Sequence, residues 1–345
     1  MARWSSSGVC RLNNIMFVII VLFSSYATYS SSDGVTLVSR DGEGDYATIS
    51  EAIAEAPTHL THTKYIIHLR PGIYHEYLTI PPNKTNIFLI GQGPHNTKIV
   101  GNRSASNPPF ILSRTATVAI EGAGFVAQGI AFVNWAGPKA GQGIALLNEG
   151  DESAFYKCSF EGFQDTLWAS TGRQFYRECD VYGSVDFVMG NAAAVFQNCA
   201  LYARFRKHAV FTAQSRDNPL EATGFVFQNC RFTVSPEERE LWGVGGSILG
   251  RPWRAYSRVV ILRSYIDSIV SPSGWGEMEG TPTDKATYVE YGNEGPGSDT
   301  RGRVRWPGVM EVHDVEAVRG FAASNFLEAD TWIPNTGVPY LGRLL

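Results

Sequence analysis

Four segments repeat one pattern around a cysteine: Phe155-Tyr156-Lys157-Cys158-Ser159-Phe160, Phe175-Tyr176-Arg177-Glu178-Cys179-Asp180-Val181, Phe196-Gln197-Asn198-Cys199-Ala200-Leu201 and Phe227-Gln228-Asn229-Cys230-Arg231-Phe232. Each sets an aromatic residue, polar residues, Cys and then an apolar side chain two positions on, which reads as a short strand with period-two alternation. Weaker copies, with small residues at the cysteine position, fall at residues 125–132 and 260–266. The copies are 20 to 34 residues apart, so the rungs are regular while the loops between them vary. A β-sandwich would bring strands back about every 8–12 residues. With 35 glycines and no clear amphipathic helix through the middle of the chain, the spacing predicts an all-β parallel solenoid in which each rung covers the next.

The N-terminus reads as a targeting segment. Arg3 and Arg11 precede an apolar run from Ile15 to Phe23, and small residues follow at Ser24, Ala27 and Ser30 to Ser32, the three-part layout of a secretory signal. Nine apolar residues are too few to cross a bilayer core of about 30 Å as a helix. Residues 1–32 are therefore expected to be a signal peptide and 33–345 a single solenoid domain without a linker. Removing the signal leaves 27 basic against 33 acidic residues, 27 − 33 = −6. That balance, with no basic cluster, argues against a nucleic-acid or anionic-membrane partner. The sequences Asn83-Lys84-Thr85 and Asn102-Arg103-Ser104 are glycosylation acceptors suited to a secreted chain.

With Cys10 in the signal, four cysteines and three pairings remain. In-register neighbours on parallel strands stand about 4.8 Å apart, inside the Cα range of about 4.4–6.8 Å for a disulfide. Bridges Cys158–Cys179 and Cys199–Cys230 are expected from this spacing and from secretion. The alternative is a stack of reduced thiols filling the interior.

The same register places two acids. Asp165 lies seven residues after Cys158 and Asp186 seven after Cys179, so both take one phase of the repeat, inside apolar stretches. Like charges held this close do not both ionise cheaply, so one carboxyl stays protonated while the other remains an anion. Gln142 and Gln164, 22 residues apart, come from successive rungs beside them; apart from the acids they could be ladder residues bonding along the stack. A carboxylate nucleophile, an acid for the leaving group and amide N–H groups forming an oxyanion hole suit acyl transfer from an ester. Arg251, in Leu249-Gly250-Arg251-Pro252-Trp253, is the candidate to grip the nucleophile bidentately. Trp253, after a proline in a turn, is placed beside the acids, with Trp168 and Trp135 as further aromatic surfaces for binding a substrate. Glu76 is expected to be structural, and the histidines, His208 included, show no metal-ligand spacing.

At these residues the chain resembles the plant-type pectin methylesterases. Gly72-Ile73-Tyr74-His75-Glu76, Gln142-Gly143-Ile144-Ala145-Leu146, Gly162-Phe163-Gln164-Asp165-Thr166-Leu167, Val185-Asp186-Phe187-Val188-Met189-Gly190 and Leu249-Gly250-Arg251-Pro252-Trp253 match five motifs in order. The resemblance runs from about Asp33 to the C-terminus, in the form without an inhibitor-like pro-region. It implies a single-stranded right-handed parallel β-helix with short peripheral helices and variable loops. It also implies a secreted cell-wall esterase whose substrate is methyl-esterified pectin, with no metal or organic cofactor. A proteinaceous pectinesterase inhibitor is the implied partner, and a monomer is expected. Residue by residue, Asp186 attacks the ester, Asp165 is acid and then base, Gln142 and Gln164 hold the oxyanion, Arg251 holds Asp186 and Trp253 stacks on a sugar. Met189 stands where Phe is usual, Gly143-Ile144 replaces a more common Ala-Val, and residues 106–112 lack a Thr-Thr-Phe found in many relatives. A pectin-cleaving lyase or hydrolase would need a calcium-binding acid cluster or a third acid in the 165/186 phase, where Arg206 is expected instead. A noncatalytic wall-binding solenoid should have lost Asp165, Asp186 or Arg251.

Overall fold

The computed structural model describes residues 35–106, 110–204 and 208–344. The expected signal segment with Cys10, and Arg206, lie outside them. Among the described residues the chain winds into three sheets of eleven, seven and eight strands, and a complete rung adds one strand to each sheet. Thus Ser153–Tyr156, Ser159–Glu161 and Leu167–Ala169 make one rung, and Arg173–Arg177, Asp180–Gly183 and Val188–Gly190 lie on the next. These pair in parallel, with Phe155 level with Tyr176, Phe160 with Val181 and Leu167 with Val188. The fold is a right-handed parallel β-helix, as expected.

Each cysteine segment, expected to be one strand, is two strands joined by a sharp corner. The residue before the cysteine is left-handed in every copy, with φ of 51° at Lys157, 53° at Glu178, 54° at Asn198 and 55° at Asn229. One such residue turns the chain from the eleven-stranded sheet into the eight-stranded one without a longer loop, so the alternation seen in the sequence spans a bend. The weaker copies share the corner, at Gly129 and Arg263. Register puts Ser264 at the cysteine level in the later copy but Ile130, not a small residue, in the earlier one.

The interior is built by stacking like on like. Phe155, Tyr176, Phe196 and Phe227 form a column with ring centroids 4.9, 4.4 and 4.7 Å apart. All are fully buried, and each ring removes apolar surface from two neighbours at once.

Cys158, Cys179, Cys199 and Cys230 also stack, but as four buried free thiols, so the expected disulfides are not formed. The reason is geometric. Residues related by simple translation along a parallel ladder have Cβ atoms about as far apart as their Cα atoms, about 4.8 Å, beyond the Cβ separation of about 3.5–4.5 Å that a bridge requires. Each thiol instead points to a carbonyl of the preceding rung: Cys179 Sγ to Phe155 O at 3.5 Å, Cys199 Sγ to Tyr176 O at 3.4 Å and Cys230 Sγ to Phe196 O at 3.3 Å.

The ends and one face are covered. Helix Ile49–Glu55 buries Ile49, Ala52 and Ile53 over the first rungs. Its N-terminus is capped by Thr48 with Glu51, and Glu76 accepts from the amides of Ile49 and Ser50 at 2.9 Å each, which gives Glu76 the expected structural role. Helices Ala323–Phe326 and Ala329–Thr336 lay Leu327, Trp332 and Ile333 on the outer face of the eleven-stranded sheet. The outer face of the seven-stranded sheet is left open, and the candidate residues gather there.

Candidate active site

The two aspartates immediately precede consecutive strands of that open sheet. Leu167 is level with Val188, so Asp165 and Asp186, each two residues earlier, are level as well, and Asp165 N donates to Val185 O at 3.1 Å. Both are left-handed, at φ 64° and 52°. A strand residue two positions before a core-facing Leu or Val would point into the core, and the left-handed twist breaks that alternation. Strain of this kind in a non-glycine residue persists only where the surroundings impose it, and it clusters at functional sites. One rung later the level position is Val210, since Val188 is level with Thr212. Among the described residues no third acid joins the pair at that level.

The environments of the two acids differ. Asp186 is 7% exposed, and Arg251 grips it bidentately, Nε to Oδ1 at 2.9 Å and Nη2 to Oδ2 at 2.6 Å. Burial pushes its carboxyl up while Arg251 pulls it down, and the guanidinium is itself raised by the pairing. Asp165 is 2% exposed and, among the described residues, has no ion-pair partner. Burial first, and then the negative charge of Asp186, push it up to about 7, with Gln142 and the more distant Arg251 opposing. The two environments therefore differ, and Asp165 is the readier of the pair to carry a proton.

Arg251 reaches the acids from a strand, Ile248–Gly250, at the far edge of the open sheet. A Cβ on Gly250 would overlap the Thr212 hydroxyl, so glycine is what lets this strand end approach closely enough to deliver the guanidinium.

Gln142 and Gln164 are bridged in parallel, as the 22-residue spacing suggested. A slip separates them from the strands that follow, since Leu146 is level with Leu167, only 21 residues on. Gln142 is thereby set against Asp165, and its Nε2 donates to Asp165 Oδ2 at 2.8 Å. One of its two N–H groups is thus engaged with the acid. The Gln164 carboxamide, half-buried beside the pair, has no hydrogen-bond partner among the described residues.

Along the open face, Ala119, Leu147, Trp168, Met189 and Ala213 form one row of level, outward residues. Trp168 meets Trp253 at 6.0 Å between centroids, and Trp253 packs with Met189 and Met278 into an apolar floor beside the acids. Met189 is 2% exposed in that floor. Trp135 is not in this group. It is 49% exposed and meets His75 edge-on at 6.5 Å in a separate recess with Tyr77 and Asn102. Asn83 and Asn102 are exposed, although Asn102 also accepts from the Tyr77 hydroxyl at 2.9 Å. His208 is a surface residue with Nδ1 2.9 Å from Gly246 O. Missed from the sequence were Tyr77, Arg103 and Phe110, whose grouping comes from three separate rungs and loops; Arg103 stood out only as the middle of a glycosylation tripeptide.

A family model described as Pectinesterase matches residues 35–330. The chain is 43% identical over 308 residues to the putative pectinesterase/pectinesterase inhibitor 38 of Arabidopsis thaliana, covering 88% of this chain and 64% of that protein. It is 43% identical over 313 residues to the putative pectinesterase/pectinesterase inhibitor 22 of the same plant, covering 90% of this chain and 55% of that one. The chain thus spans less than two thirds of the length of these curated relatives. The solved structure of pectin methylesterase from carrot superposes with a TM-score of 0.87 at 36% identity, covering 92% of this chain and all of that one. With the five sequence motifs, the parallel β-helix and the paired acids on its open face, these matches show that the chain belongs to the pectinesterase family.

Proposed function

We propose that this protein is a carboxylic ester hydrolase that removes methyl groups from the galacturonate esters of pectin. The observation that carries the proposal is the unequal pair: Asp186 held by Arg251 through two hydrogen bonds, and Asp165 pushed up to about 7 beside it. Asp186 attacks the ester carbonyl carbon, and the carbonyl electrons move to oxygen. The free amide of Gln164 and the remaining N–H of Gln142 receive that oxyanion. The intermediate collapses, the C–O bond to the methoxy group breaks, and Asp165 gives its proton to the leaving oxygen, releasing methanol. Asp165, now a carboxylate, takes a proton from water, whose oxygen attacks the acyl-enzyme. Collapse returns Asp186 to Arg251 and frees the galacturonate carboxyl. The Trp168 and Trp253 rings beside the acids provide a surface on which a sugar ring can lie.

Pectin as substrate rests on the names of the relatives and on the five shared motifs. Secretion to the cell wall after signal cleavage, glycosylation at Asn83 or Asn102, and a proteinaceous inhibitor as partner belong to the same proposal. Among the described residues no helix is long and apolar enough to cross a membrane. The deciding measurement is methanol release from methylated pectin. The parent protein should release methanol and D186A should not; release by D186A at the parent rate would remove Asp186 as nucleophile. Shortening of the polymer without methanol would instead favour a glycosidic-bond enzyme.

A further inference from the structure

Where the chain turns out of the eight-stranded sheet there is a recess of about 380 Å³, lined by His75, Tyr77, Val100, Gly101, Asn102 and Trp135. These residues end or follow strands Gly72–Tyr74, Thr97–Gly101 and Ala131–Asn134, and none of them lies on a strand of the open sheet. The volume falls within the about 300–1,000 Å³ typical of small-molecule sites. Trp135 is anchored through its backbone N, which donates to Gly101 O at 2.7 Å, while its ring stays half exposed. The Trp135 ring and Val100 supply apolar wall, and Asn102 and His75 supply polar edge.

Asn102 is exposed where it lines this recess, and it opens the acceptor tripeptide Asn102-Arg103-Ser104. The fold holds it in one orientation, because the Tyr77 hydroxyl accepts from Asn102 N and donates to Asn102 Oδ1, at 2.9 Å each. Neither bond uses Nδ2, the atom to which an N-linked sugar is joined. Ser104 gives an independent sign. It is fully buried, and its hydroxyl has no hydrogen-bond partner among the described residues. A buried hydroxyl left unpaired costs stability, so alanine would suit the folded chain better. What needs a hydroxyl at this position is the acceptor tripeptide, before the chain folds. In the other tripeptide the Thr85 hydroxyl donates to Leu60 O at 2.7 Å, so there the fold itself uses it.

We infer that Asn102 carries an N-linked glycan whose first N-acetylglucosamine units lie in this recess against Trp135. Asn102 Nδ2 displaces a lipid pyrophosphate from the anomeric carbon of the sugar: the N–C bond forms, the C–O bond to pyrophosphate breaks, and one Nδ2 proton leaves with the pyrophosphate. Because Ser104 is buried in the folded protein, this transfer precedes folding. Afterwards the tether makes the contact intramolecular, so a sugar–aromatic contact too weak to hold a free sugar is occupied. The C–H face of the sugar ring and its acetyl methyl group suit the exposed Trp135 ring and Val100. The inference rests on passage through the secretory route proposed above and not on the ester chemistry. It selects Asn102 and assigns Trp135 to the glycan rather than to the substrate.

The test expresses the full chain in a eukaryotic secretory host and collects the protein from the medium. Mass spectrometry of the peptide bearing Asn102 should find a glycan in the parent and none in S104A, which removes only an unpaired hydroxyl and so keeps the fold. Two further readings probe the seat. Hydroxyl-radical oxidation of Trp135 should be greater in S104A than in the parent, with Trp168 and Trp253 unchanged. Release of the glycan by a peptide-N-glycosidase should be about fivefold faster from native W135A than from the native parent, and equally fast from the two once both are denatured. Secreted protein that is bare at Asn102 overturns the inference and leaves secretion standing, whereas protein retained in the cell with residues 1–32 uncleaved overturns both. Equal oxidation of Trp135 in glycosylated parent and S104A, or equal release from native parent and W135A, refutes the seat.

Discussion

Replacing Asp165 by Asn should cost the protein its activity and make it more stable at neutral and alkaline pH. In the folded protein burial and Asp186 raise the Asp165 carboxyl from 3.8 to about 7. The folded state thus holds this proton more tightly than the unfolded chain does. Below pH 3.8 both states are protonated and no penalty exists. Between 3.8 and about 7 the unfolded chain ionises first, so stability is lost as pH rises, and above about 7 the loss is complete. A rise from 3.8 to about 7, at about 1.4 kcal/mol per pH unit, amounts to about 4 kcal/mol. At 2% exposure solvent screens little of it. Asn keeps the shape and can still bond to Gln142, but carries no charge. The assay is urea unfolding of parent and D165N at pH 4 and pH 8, with methanol release measured in parallel. D165N should gain about 4 kcal/mol relative to the parent at pH 8 and much less at pH 4, a stability gained by giving up a functional group. Equal differences at the two pH values, or a variant destabilised at pH 8, would refute the placement of a buried, proton-holding acid here.

Other perturbations follow from the same geometry. Methanol release should fall as pH rises above about 7, because the leaving group takes its proton from Asp165; a rate still climbing at pH 9 would contradict that role. Arg251→Gln removes the cation that lowers the Asp186 carboxyl, so the acidic limb of the pH–rate profile should move to higher pH. Breaking this mostly buried pair should also cost about 3 kcal/mol of folding stability, read as a lower unfolding midpoint. Gln164→Ala should lower kcat about 100-fold or more with little change in KM, the signature of an oxyanion donor. A structural ladder glutamine would change the unfolding midpoint instead. Thiol titration should find Cys158, Cys179, Cys199 and Cys230 unreactive in the native protein and all four reactive without reductant once it is unfolded. Two or four missing thiols would restore the disulfides.

The period of the repeat was legible because the aromatic and cysteine positions face an interior that repeats with every rung. Any residue in those columns must match the one above it, as the Phe155, Tyr176, Phe196 and Phe227 stack shows. Asp165 and Asp186 could be placed together for the same reason, since equal distances from two level cysteines keep two residues level. The corner inside each cysteine segment was not legible. Lys157, Glu178, Asn198 and Asn229 share no single residue type, and only the dihedral angles reveal the bend.

What the sequence determined alone was therefore translation along the helix axis: which residues sit one above another, and hence the paired acids. What only the tertiary structure decided was direction. The distance between two cysteines on adjacent rungs follows from register, but whether their side chains converge depends on orientation, and translation keeps them parallel and reduced. Orientation also sends Gln142 to Asp165 and brings Arg251 onto Asp186 from another rung. It likewise clamps Arg103 between Tyr77 and Phe110, residues that no repeat in the sequence links.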